Sequence, residues 1–166
     1  MKHVILWATA AAFVLGVFET AILSHMPFLP VLPDLILILV IYIALYNGTV
    51  AGLTTGFFSG LAFDFLSLAP LGLHSFVFTV LGFLYGTLYR RYNIRRFFFP
   101  FLFVLFATLL KALLLFVLRF LFGQSIQVYD LFSLTFCFEV AANAFCAPLF
   151  FTLFGLFPVA FEVQEP

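Results

Sequence analysis

The sequence predicts an all-α, polytopic membrane protein of about six transmembrane helices, forming one integral membrane domain over residues 1–166. Of 166 residues, 66% are hydrophobic and 8% are charged, with a mean hydropathy of +1.26. An ordinary soluble domain is about 45–50% apolar and about 25% charged. Phenylalanine alone supplies 28 residues, which suits contact with lipid better than a small core. The apolar residues also fall into long stretches separated by Pro, Gly or Arg. This balance excludes a water-soluble enzyme, a nucleic-acid binder and a disordered chain together. The formal net charge is zero, so only the placement of the seven cations is informative.

A spanning helix needs about 20 apolar residues and must satisfy its backbone internally. Span one is expected over about 4–23. Lys2 and Ala8-Thr9-Ala10 imitate a cleavable signal peptide, but the apolar stretch is longer than such a segment and holds Glu19, so it reads as a retained helix. Pro27, Pro30 and Pro33 punctuate the loop to span two, 31–46, which is short at about 24 Å. Asn47-Gly48 breaks the chain before span three, 49–66, and Ala69-Pro70 turns it into span four, 71–89. Span five, 97–122, is long enough to tilt. Span six, 129–157, is interrupted by Pro148, and a short acidic tail with Glu162 and Glu165 follows.

Orientation follows from the cations. A cytoplasmic N-terminus puts Lys2 and the loop arginines Arg90, Arg91, Arg95 and Arg96 inside, so both termini are expected in the cytoplasm. The arginine loop is a topogenic signal that also attracts anionic headgroups of the bilayer, at about 1 kcal/mol per cation. It is too short to suggest nucleic acid. Cys137 and Cys146, about 13.5 Å apart along one helix, cannot pair with each other and read as buried free thiols.

Ionisable residues inside spans are costly, at about 2.5–3.5 kcal/mol each near the centre. Counting depth along each span places Glu19, Asp34, Asp64, Arg119 and Asp130 within a turn of the outer boundary, with His74 beside them. They form either a solvated outer rim or a charged patch for a partner; Asp34 and Asp130 can also cap helix N-termini. Lys111 and Glu139 lie deeper and at matching depth on neighbouring spans. They are expected to form a buried ion pair, with a proton or ion relay as the sharper alternative.

Span three is the most patterned stretch. Gly48, Gly52, Gly56 and Gly60 recur every fourth residue and Asp64 continues the series, a spacing that lets helix backbones approach closely. Span four answers with Gly82 and Gly86. The stripe is either a docking seam for another subunit, including a second copy in a homodimer, or the internal packing of spans three and four. Catalysis finds no support: no phosphate loop, HExxH, CxxC or GxSxG is present, and His3, His25 and His74 are scattered. Neither a metal nor another cofactor is expected.

The stretch Thr55-Gly56-Phe57-Phe58-Ser59-Gly60-Leu61-Ala62-Phe63-Asp64-Phe65-Leu66-Ser67, followed by Pro70-Leu71-Gly72-Leu73-His74, resembles the signature of the MreD family of bacterial rod-shape-determining membrane proteins. The match falls on Gly56, Phe57, Gly60, Asp64, Ser67, Leu71 and Gly72. Pro33-Asp34-Leu35 at the start of span two, and Asn143 followed by Pro148 in span six, agree with it. The resemblance implies a non-enzymatic inner-membrane scaffold that binds the single-span protein MreC and works with the actin-like MreB. Through that assembly it would support the RodA glycosyltransferase and its transpeptidase in peptidoglycan synthesis. It also implies a fold like the six-helix substrate-binding subunit of energy-coupling-factor importers. Gly52, Gly56, Gly60 and Asp64, with His74 and Asp34 beside them, are the residues expected to serve the partner. The alternative function is a vitamin importer's binding subunit, for which Ala8-xxx-Ala12 would be the docking pair. A channel or exchanger built around Lys111 and Glu139 is the third reading.

Overall fold

Residues 35–45 are apolar on every side of a helical projection, a pattern that only full burial accommodates. In the computed structural model, which describes residues 2–21, 32–67, 69–89, 91, 98–123 and 133–162, that helix stands at the centre of an all-helical bundle. The described elements are α1 (Lys2–Ala21), α2 (Leu35–Asn47), α3 (Thr49–Leu66), α4 (Leu73–Gly86), α5 (Phe98–Phe122), α6 (Leu134–Gly155) and the single turn α7 (Pro158–Phe161). From Leu35 to Leu45 no residue of α2 is more than 3% exposed, and α1, α3, α4, α5 and α6 all pack against it.

Four helices, α1, α3, α5 and α6, are long and apolar enough to cross a membrane. The expected spans two and four are shorter than their sequence boundaries. α2 has 13 residues and α4 has 14, about 20 Å and 21 Å, against a hydrocarbon core of about 30 Å. α2 starts only at Leu35 because Pro33 precedes the Asp34 cap, and α4 starts at Leu73 because Gly72 takes a left-handed φ of 93°. Pro148 does not interrupt the last long helix: α6 continues through it to Gly155, and the Thr152 hydroxyl bonds the Pro148 carbonyl at 2.8 Å. Pro27, Pro30, His25, Arg90, Arg95, Arg96, Asp130 and Glu165 lie outside the described residues; Arg91 is exposed.

Helices consecutive in the chain run antiparallel. The one-residue break at Gly48, with φ 88°, folds α2 back on α3, so that a Cβ on Gly52 would meet Ala44 Cα at 3.0 Å. α1 lies on α2 and α3 through the small residues Ala8, Ala12 and Gly16; a Cβ on Gly16 would sit 3.0 Å from Leu66 and 3.2 Å from Ile36. Ala8 and Ala12 are thereby buried inside the chain, which removes them as a docking pair for an importer's transducing subunit. Outward faces carry large apolar side chains, among them Phe58, Phe65, Phe106 and Phe120, as lipid contact requires.

At the far end of α2 the chain returns to close the bundle. α7 packs on α1, the Tyr42 hydroxyl donates to Glu162 Oε1 at 2.9 Å, and Asn47 Nδ2 donates to the Phe161 carbonyl at 2.7 Å. Tyr42, Tyr46, Phe151, Phe154 and Phe161 form one aromatic cluster there.

Candidate functional site

The glycines of α3 face α4 at backbone contact. A Cβ on Gly52 would lie 2.4 Å from Gly82 O, one on Gly56 2.2 Å from Phe78 O, and one on Gly60 2.4 Å from Ser75 Cα. From the other side, a Cβ on Gly82 would meet Gly52 O at 2.2 Å and one on Gly86 would meet Thr49 Cα at 2.4 Å. The stripe and the Gly82/Gly86 pair thus form one antiparallel seam within the chain. No room is left on the Gly52–Gly60 face for a second backbone, so the docking-seam alternative loses its surface. Gly48 serves the turn into α3 and Gly72 the turn into α4.

Asp64 closes the seam. Its Oδ2 accepts from the backbone of Gly72 at 2.8 Å and Ser75 at 3.3 Å, and its Oδ1 from the backbone of His74 at 3.0 Å and from His74 Nδ1 at 2.8 Å. One carboxylate therefore satisfies the first-turn donors of α4, which have no partner within the helix, where the helix dipole favours negative charge. The Asp64 side chain is fully buried, so it is not part of a solvated rim. His74 is half-buried, edge-on to Phe63 at 4.8 Å, and the Ser75 hydroxyl bonds the Phe57 carbonyl at 2.8 Å.

A second polar node surrounds the start of α2. Asp34 Oδ1 caps the helix by accepting from Leu37 N at 2.8 Å, while its Oδ2 takes the Lys111 ammonium at 2.6 Å. The Asp34 N–H donates to Asn143 Oδ1 at 2.7 Å, and the Leu35 N–H donates to Glu19 Oε1. Asn143 Nδ2 then reaches Thr108 Oγ1 at 3.1 Å, whose hydroxyl bonds the Val104 carbonyl at 2.9 Å. Lys111 also lies 3.7 Å from Glu139 Oε1. Glu19, Asp34, Lys111, Glu139, Asn143 and Thr108 are all 9% exposed or less.

The expected Lys111–Glu139 contact is therefore one edge of a larger cluster, and its closest carboxylate is Asp34. Glu19 and Asp34, expected near the outer boundary as a solvated rim or a patch for a partner, are core residues, and Asp34 caps α2 as expected; Arg119 is exposed. Thr108 entered none of the sequence expectations. Its signal is only its place one helical turn before Lys111, on the same face of α5. Pro33 and Pro148 frame the node without joining it. Cys137 is exposed on α6 and Cys146 is half-buried, so only the second approaches the buried thiol expected of both.

Chemically, both nodes bind helix ends. Carboxylates and an amide oxygen take backbone N–H groups that lipid cannot satisfy. Among the described residues no three His, Cys, Asp or Glu side chains are grouped to hold a metal ion. In comparisons with known proteins, the family model described as rod shape-determining protein MreD matches residues 1–157. No curated protein and no solved structure matches the chain.

Proposed function

Because the chain belongs to the MreD family of rod shape-determining proteins, we propose that it is a non-enzymatic scaffold of the bacterial cell-elongation machinery. In this reading it sits in the inner membrane and binds a single-span MreC-like protein. Through that partner it supports MreB, RodA and its transpeptidase in peptidoglycan synthesis. It crosses the bilayer six times, with α2 and α4 as short inner crossings, in an arrangement like that of the energy-coupling-factor binding subunits. Both termini face the cytoplasm. The antiparallel order of consecutive helices supports this topology, since it brings the start of α1, the end of α2 and α7 to one end of the bundle.

The observation that carries the docking reading is how the motif residues divide. Gly56, Gly60 and Asp64 turn inward and Gly72 makes the turn that closes the α3–α4 hairpin, whereas Phe57 of the same motif is 45% exposed. Leu53, Phe76 and Phe83 are exposed on the same two helices. The glycines and Asp64 serve the partner indirectly, by holding two backbones in contact as a stiff platform. Helix association in lipid rests on such shape matching, because burial of apolar surface adds little drive there.

The test is affinity purification from native membranes in mild detergent, with mass spectrometry of proteins and small molecules. A single-span MreC-like protein is expected with the wild-type chain. Its recovery should fall several-fold with Phe57→Ala, while insertion and stability stay unchanged. A retained vitamin, or an ATPase module in place of the single-span protein, would overturn the scaffold reading in favour of import.

A further inference from the structure

The last described residues of the chain are bound as a peptide ligand is bound. α7 is a single turn of four residues, too short to hold its own shape, so the surface it sits on must impose that shape. Three contacts do so at the C-terminal end of α2. Asn47 Nδ2 reads the main-chain carbonyl of Phe161 at 2.7 Å while also donating to the Ile43 carbonyl at 3.1 Å. The hydroxyl of Tyr42, a residue with no exposed surface, donates to the Glu162 carboxylate at 2.9 Å. The Phe161 ring is buried against Phe154 at 5.4 Å, whereas Pro158 and Val159 stay exposed.

A donor for a backbone carbonyl, a donor for a carboxylate and a slot for an aromatic ring are the components of short-peptide recognition. The two donors come from α2 and the ring contact from α6, while α1 supplies the helix face on which α7 packs; the segment that fills this surface lies beyond the residues carrying the family match. We propose that the end of α2 is a peptide-docking niche, filled in cis by residues 158–162. In trans it takes a partner segment of the same chemistry: an aromatic residue followed directly by a carboxylate. The short tether from α6 gives the resident segment a high effective concentration, so a partner must outcompete it and the strap acts as a guard on the niche. The niche is separate from the outward face of α3 and α4, and the inference does not depend on what docks there.

The probe is a labelled peptide of this chain's own sequence, Pro158–Pro166, titrated onto the full-length protein in detergent. Weak binding is expected to the wild-type chain, and binding about tenfold tighter or more to F161A/E162Q, whose own strap has lost its ring and carboxylate. Adding Asn47→Leu to that variant should weaken binding about tenfold, the value of one hydrogen bond of about 1.4 kcal/mol. Equal affinity for wild type and F161A/E162Q, or no effect of Asn47→Leu, overturns the proposal. A second measurement keeps the strap sequence otherwise intact: Ala160→Cys in a C137S/C146A background, labelled with a bulky maleimide. Excess peptide should speed labelling several-fold by displacing the strap; an unchanged rate overturns the proposal even if F161A/E162Q does not fold. Recovery of a single-span partner on the same preparations is scored separately, so failure of one reading leaves the other standing.

Discussion

Lys111 is the one buried cation among the described residues, and three buried carboxylates, those of Glu19, Asp34 and Glu139, lie around the start of α2 with it. Lys111→Met is expected to cost about 3–5 kcal/mol, the usual penalty for stranding a buried charge. The double variant D34N/K111M should cost less than the sum of its singles in reversible unfolding from mixed micelles. Exchanging charges with K111E/E139K should not restore stability, because Asp34 still faces position 111 at 2.6 Å. At the other node, Asp64→Asn leaves one acceptor oxygen for four donors and is expected to lose about 1–3 kcal/mol by the same assay. Part of this is legible in the amino-acid sequence, since matched depth alone pairs Lys111 with Glu139. So is the Asp34 cap of α2; its bond to Lys111 and the burial of Glu19 against the first turn of α2 are not. Depth counted from the end of each residue's own span misplaces them because α2 is recessed: Lys111, level with its first turn, still has 11 residues of α5 beyond it.

The glycine series announces a close approach between helices but not the identity of the second helix, because small-residue spacing suits a partner or a neighbour equally. Only the antiparallel register of α3 and α4 decides, and it takes every glycine from Gly52 to Gly60 for the inside. Gly56→Leu therefore cannot serve as a docking mutant. It drives a side chain into the Phe78 carbonyl and is expected to cost at least about 1–3 kcal/mol, read as a lowered unfolding midpoint. Gly48→Ala should cost about 1–3 kcal/mol for a different reason, a backbone at φ 88° and ψ −175° at the α2–α3 turn that only glycine adopts readily. The all-round apolar run of α2 signals its burial plainly. The continuity of α6 through Pro148 does not follow from sequence, because a proline removes one ladder bond, here to the Ala144 carbonyl, and packing against neighbouring helices decides whether the helix goes on.

For the whole molecule, composition together with the length of the apolar stretches predicts an all-helical membrane protein, and hydropathy locates the long helices. It overestimates α2 and α4, whose apolar flanks extend past the residues that fold into helix. The proposed orientation predicts that a cysteine placed at Val159, in a C137S/C146A background, is labelled by an impermeant maleimide in inside-out vesicles and protected in intact spheroplasts. The reverse pattern would invert the topology.

The recessed start of α2 also fixes an order in time. Asp34 precedes Lys111 by 77 residues and Asn143 by 109. At roughly 5–20 residues per second, synthesis delivers those partners on the order of 4 to 22 s after Asp34 itself. Until then the first turn of the most apolar helix waits in the bilayer with its capping set incomplete. The innermost helix of the bundle is thus among the first made and the last secured. A ribosome that stalls before α6 leaves behind a chain whose centre is still open to membrane proteases.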